Sequence, residues 1–219
     1  MSDVSHLANY RNDVNYRAEV YLLLAKALKE PVPEILEQQE MTAVFLIEAI
    51  EALGYAGRGI ISRPWPFWPG DISGLRAAFH ESFLYPVETR VVPVESVYRQ
   101  WVQEKPEPLS FARDTREKEY LLSDAAVHMK ALYQIYGRTI PADFAAVPDH
   151  LCLELEFAAF LSRAETPARL RSYLREHLDW TRDLSADAER VGLPLFYREL
   201  IGIIWRFVQC EIQNLSGSD

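Results

Sequence analysis

Apolar residues recur along this chain at three- and four-residue intervals, the spacing of amphipathic helices rather than the alternation of strands. Over residues 11–29 the positions Val14, Ala18, Tyr21, Leu22, Ala25 and Leu28 predict one such helix, closed by Glu30-Pro31-Val32-Pro33. A second is expected over 34–53, with Ile35, Phe45, Ala49 and Leu53 turned inward and Gly54 at its end. Leu75, Phe79 and Phe83 share one side of a helix over 72–84, with Asp71 or Ser73 as its N-cap. Tyr120, Leu121, Ala125, Met129, Leu132 and Tyr133 give the stripe of a helix over 115–136, with Gly137 at the C′ position. Helices over 148–165, 168–177, 180–191 and 195–213 complete the set. Val91 and Val92 have no partner segment with period-two alternation, so 85–101 reads as coil with a short turn. The expected fold class is all-α, a single globular bundle of about eight to ten helices forming one domain over 1–219. A long proline-rich connection is expected over about 86–110 and a disordered tail over about 214–219.

The helix opening at Pro148-Asp149-His150-Leu151 departs from this pattern. Advancing about 100° per residue from Asp149, Leu151, Leu153, Leu155, Phe157, Ala158 and Leu161 fill an arc of roughly 200°. Asp149, Glu156 and Arg163 share the opposite, polar side. His150 and Glu154 fall inside the apolar arc, one turn apart and able to face each other. Ionisable groups on a core-facing arc are expected to be paired or in use. Three uses are open: a buried His150–Glu154 hydrogen bond with Asp149 favouring the helix dipole, a metal site of Asp149, His150 and Glu154, or the polar floor of a groove for a basic peptide. The same pair could serve as general acid and base, but nothing nearby suggests a nucleophile or an oxyanion site. His6, His80, His128 and His177 lie in no comparable acidic helical motif.

A net charge of -9 argues against a nucleic-acid partner and favours basic ligands. Cys152 and Cys210 sit in apolar helical patterns with no zinc spacing, so both are expected to be reduced core thiols. The N-terminus has no secretory pattern and no apolar run is long enough to span a bilayer, which points to a cytoplasmic protein without direct membrane insertion. No phosphate loop, dinucleotide fingerprint, nucleophile elbow or H-E-x-x-H pair occurs. Arg63-Pro64-Trp65-Pro66-Phe67-Trp68-Pro69-Gly70 must be extended, its aromatics either capping the core or meeting a ligand.

An ordered set of motifs resembles the TorD/DmsD-type redox-enzyme maturation chaperones, with the nitrate reductase chaperone NarJ more distant. Pro148-Asp149-His150-Leu151 with Glu154-Leu155-Glu156-Phe157 is similar to that family's P-D-H-(I/L)-x-x-E-L-x-F signature. Tyr133 to Gly137 looks like its Y-x-x-x-G, and Phe83-Leu84-Tyr85 and Pro93-Val94-Glu95-Ser96-Val97-Tyr98 like its L-F-x-G-P and P-P-(W/Y)-x-S-V-Y segments. Glu176-His177-Leu178-Asp179-Trp180, Phe196-Tyr197 and Tyr21-Leu22-Leu23-Leu24-Ala25 fit its E-H-L-x-x-W, F-Y and Y-x-L-L-A elements. Val94 stands where an aromatic is common, and Glu88-Thr89-Arg90 replaces the glycine-proline turn. The resemblance implies a TorD-like, all-helical chaperone, not an enzyme, with no cofactor, metal or catalytic residue of its own. Its partners would be a molybdoenzyme catalytic subunit and that subunit's basic N-terminal signal peptide, bound before assembly or twin-arginine export. A homodimer is compatible with it. The peptide-binding set it implies is Asp149, His150, Pro93, Ser96 and Tyr98, with Glu154 as support beneath and Tyr21 from the first-helix motif. The competing readings are a metal-dependent helical-bundle enzyme using Asp149, His150 and Glu154, and a scaffold that binds only the mature subunit.

Overall fold

Two prolines set the boundary between the first helices. α1 (Ser2–Ala27) ends in the turn before Pro31, and α2 (Pro33–Glu37) takes Pro33 in its first turn, where a missing N–H breaks no helical bond. The computed structural model describes residues 2–61, 67–84, 91–99 and 124–215, with side chains from residue 13 onward except Val14. The helix expected over 34–53 is in fact two, because the chain turns at Gln38 (φ -102, ψ 3) before α3 (Gln39–Ala52). Leu46, Ala49 and Ile50 are buried, whereas Ile35, Phe45 and Leu53 only pack at the edge of the core. Gly54 (φ 74) closes α3, with its N–H on the Glu51 carbonyl and the Tyr55 N–H on the Ile50 carbonyl, both at 2.9 Å. Only a left-handed residue permits that double closure, and it returns Tyr55 to the core.

α4 (Ile72–Phe83) is capped by Asp71, whose Oδ1 accepts from the Gly74 N–H at 2.9 Å and the Ser73 hydroxyl at 2.8 Å. Leu75, Phe79 and Phe83 are buried as their spacing predicts. Before it, the Trp68 N–H donates to Gln39 Oε1 and its indole N–H to the Asp71 carbonyl, so this ring braces the α3–α4 corner while Phe67 is exposed. Trp65 lies outside the described residues.

α5 (Glu95–Tyr98), α6 (Asp124–Ile135), a 3-10 turn at Ala142–Phe144, α7 (Leu151–Ala164), α8 (Pro167–His177), α9 (Thr181–Val191) and α10 (Leu195–Asn214) follow. The described residues hold ten α-helices and no strand, and the fold is a single all-α globule, as the periodicity predicted. Residues 115–123, most of the connection expected over 86–110, and 216–219 of the expected tail lie outside the described residues. Asn214 still belongs to α10 and Leu215 is buried, so these two are not tail.

α7 is the axis of the globule. It lies along α1 and packs on α8, while α10 covers α8 and α9. Leu151, Cys152, Leu153, Glu154 and Leu155 are all buried, followed by Phe157, Ala158 and Ala159, so α7 is enclosed on nearly every side. At about 1.5–3 kcal/mol for each large apolar side chain, this helix anchors much of the core. Cys152 and Cys210 are buried free thiols, and burial pushes the Cys152 thiol up to about 12. No helix among the described residues is long and apolar enough to cross a membrane.

Candidate functional site

The start of α7 is built by a chain segment that precedes it by some fifty residues. Val94 and His150 form an antiparallel bridge. The Leu151 N–H donates to the Pro93 carbonyl at 2.9 Å, and the Glu95 N–H donates to the Asp149 carbonyl at 3.0 Å. Asp149 is 1% exposed, and its Oδ2 accepts from the Ser96 N–H at 2.9 Å and from the Ser96 hydroxyl. This side chain does not point to solvent along a polar helix face, as expected, but clamps α5 to the entry of α7. The reason is conformational: α7 begins only at Leu151, and His150 before it is extended (φ -73, ψ 136). A helical projection therefore does not apply to residues 149 and 150.

His150 is the N-cap of α7. Its Nδ1 accepts from the Cys152 N–H at 3.1 Å, which places the ring proton on Nε2. Burial first, then Lys29, holds this imidazole down to about 4, so it is neutral at physiological pH. Phe144 lies against the ring, 5.1 Å between centroids, and Lys29 pairs with Glu156 at 2.5 Å. The His150–Glu154 pair, one of the three uses left open by the sequence, does not form, because His150 turns back to cap the helix.

Glu154 is fully buried and faces a different set of groups. Its Oε2 accepts from the Trp180 indole N–H at 3.2 Å. Its carboxyl group confronts that of Glu95, so no side chain donates to Oε1, and a proton or a cation must lie between the two. Burial, then Glu95 and Asp149, pushes the Glu154 carboxyl well above the ordinary carboxylate range. Glu95 is held on its other side by Arg99 (Nε to Oε1, 2.7 Å), and its Oε2 lies 2.8 Å from His177 Nδ1. His177 Nε2 lies 3.0 Å from His128 Nδ1. Among the described residues, Glu95, Glu154 and His177 are the group with the spacing of metal ligands, each offering an atom within 4.8 Å of the others. The set considered from sequence, Asp149 with His150 and Glu154, does not have that spacing. His150 Nδ1 is spent on the cap and Asp149 Oδ2 on Ser96.

Of the seven residues implied by the motifs, Pro93, Ser96, Asp149, His150 and Glu154 meet at this junction. Tyr98 adjoins it, its ring stacked on Trp180 at 5.2 Å and 21° and its hydroxyl beside Asp187. Tyr21 does not reach it. It is fully buried and donates its hydroxyl to Glu211 Oε2 at 3.3 Å, in a second buried network with Tyr55 and Arg17. Sequence reasoning missed Glu95, His177 and Trp180 as members of the site, although the first lies inside the Pro93–Tyr98 motif and the other two inside the Glu176–Trp180 motif. Their signal was there, as ionisable and indole groups within the quoted segments.

Residues 51–187, more than half of the chain, match the family model described as nitrate reductase delta subunit. No curated protein and no solved structure matches the chain significantly.

Proposed function

Because the chain belongs to the nitrate reductase delta subunit family, a family of molybdoenzyme maturation chaperones, we propose that it binds the basic N-terminal signal peptide and the apo form of a molybdenum-cofactor oxidoreductase catalytic subunit in the cytoplasm. It holds that client until the cofactor is inserted, before assembly or export. The observation that carries this reading is the main-chain and side-chain union of the 93–98 segment with 149–154, the two stretches whose motifs resemble peptide-recognition elements. In this role the buried members, Pro93, Ser96, Asp149 and Glu154, shape the surface, and Tyr21 supports the core behind it. The groups at the surface would make the contact. His150 is half-buried with Nε2–H as its donor, Phe144 supplies an apolar face, and Asp179 and Asp183 give an acidic edge beside Tyr98 and Arg99. Such an edge suits guanidinium groups of a basic segment, and the net charge of -9 steers it inward.

Fluorescence anisotropy with a labelled signal peptide from the co-purifying molybdoenzyme tests this. His150→Ala and Asp183→Asn should each weaken binding by about tenfold, the loss of roughly 1.4 kcal/mol, while the melting temperature changes little for Asp183→Asn. Equal affinity for wild type and both variants would sink the recognition role. Undiminished capture of a client lacking its signal peptide would favour binding of the mature subunit alone.

A further inference from the structure

We propose that Glu95, Glu154 and His177 form a buried site for one divalent transition-metal cation of the zinc class, behind the peptide surface. The three come from α5, α7 and α8, are 1%, 0% and 2% exposed, and bring their ligand atoms within 4.8 Å of one another. Each ligand is already held from behind. Arg99 takes Glu95 Oε1, Trp180 donates to Glu154 Oε2, and His128 stands at His177 Nε2. The atoms that face the space for a shared ion are Glu154 Oε1 and the pair Glu95 Oε2 and His177 Nδ1, whose mutual hydrogen bond the ion would replace. Fixing the far atom of each ligand is how protein metal sites orient their first shell.

A second observation points to the ion itself. Glu154 Oε1 is fully buried and meets only the Glu95 carboxyl, while the neighbouring Asp149 Oδ1 has no donor. A buried carboxyl pair in that condition needs either a shared proton or a cation in the proton's place. The donor set chooses the class of ion. One imidazole nitrogen with two carboxylate oxygens suits Zn²⁺, Mn²⁺ or Fe²⁺, whereas Mg²⁺ and Ca²⁺ prefer oxygen alone. Three protein ligands leave a fourth position for water. Glu95 Oε2 and His177 Nδ1, 2.8 Å apart, would have to separate to about 3.4 Å around a tetrahedral ion with bonds of about 2.0–2.2 Å. The bound ion would fasten the 91–99 segment to α7 and α8, and so hold the junction on which the α7 N-terminus rests.

The test uses the whole 219-residue chain after chelation, with no client, so its result is independent of the chaperone reading. Calorimetric titration with zinc chloride should give one site of micromolar or tighter affinity. Zinc at about a hundredfold excess over Kd should raise the melting temperature by roughly 5–10 °C. Cobalt chloride should produce visible ligand-field absorption of a tetrahedral nitrogen–oxygen site, and magnesium chloride should not compete. Glu154→Gln keeps an acceptor for Trp180 and should lower zinc affinity at least about a hundredfold. Glu95→Gln, which keeps an acceptor for Arg99, is the second variant should the first not fold. Failure of the wild type to bind zinc, manganese or iron, or binding that either folded variant leaves unchanged, would overturn the site.

Discussion

Lowering the pH from about 7.5 to about 5 should remove about 2 kcal/mol of stability through His150 alone. The lone pair of Nδ1 is occupied by the Cys152 N–H, and burial with Lys29 nearby holds the imidazole at about 4 against an ordinary 6.5. As the pH falls through 6.5 the unfolded chain takes up a proton that the folded chain refuses. The unfolded state then binds more protons, so stability is full above 6.5 and is lost progressively down to about 4. Integration over that window gives about 2 kcal/mol by pH ~5 and about 3 kcal/mol by pH ~4, upper figures for a half-buried ring. Protonation also removes the cap acceptor and sets a positive charge at the positive end of α7, beside Lys29. Urea unfolding of wild type and His150→Asn across this range isolates the effect. Asparagine keeps an acceptor for the cap but does not titrate, and other groups cancel in the difference. The stability gap should shift toward the variant by about 2 kcal/mol between the two ends of the range, a change of roughly 4–8 °C in melting temperature. A gap that stays constant with pH would refute a neutral, capping His150.

Two further substitutions probe the frame. Glu211 is fully buried, accepts from the Tyr21 and Tyr55 hydroxyls and pairs with Arg17 at 2.6 Å, so Glu211→Leu strands three polar groups. It should cost about 3–5 kcal/mol in denaturant unfolding, and a loss below about 1 kcal/mol would show that the network relaxes to water. Burial raises the Glu211 carboxyl above its ordinary 4.5, so the wild-type contribution of this group falls as pH rises from 4.5 through the folded value. Gly137 closes α6 at φ 62 with open space where a Cβ would sit. Gly137→Ala should therefore cost about 1–2 kcal/mol from backbone strain alone, and an unchanged unfolding midpoint would contradict the left-handed closure.

What could be read in the sequence divides along the same physical line as these predictions. Helices whose sides are set by burial were legible, because a 3.6-residue period is the direct signature of one apolar face. Leu75, Phe79 and Phe83 on α4 and the apolar run of α10 are the clear cases. The closure at Gly137 was legible too, since only glycine takes that backbone without strain. The break at Gln38 was not, because no residue there forbids helix. Residues 149 and 150 misled for a sharper reason. Pro148 suggested a helix start, yet the first helical residue is Leu151, and the cap is a histidine ring rather than a usual serine or aspartate. Every face assigned to Asp149 and His150 by rotation was thus taken from a helix they do not belong to. Glu154, inside the helix, was placed correctly on the buried side, but its partners were not its helical neighbours. They come from α5, through Glu95, and from the α8–α9 corner, through Trp180. Periodicity reports which way a side chain points, and it is silent on what arrives from elsewhere to meet it. The motif segments 93–98 and 176–180 carried that missing information as an order of residue types. The fold turns that order into one junction, where a cap, a carboxylate clamp and a buried acidic pair share a single end of α7.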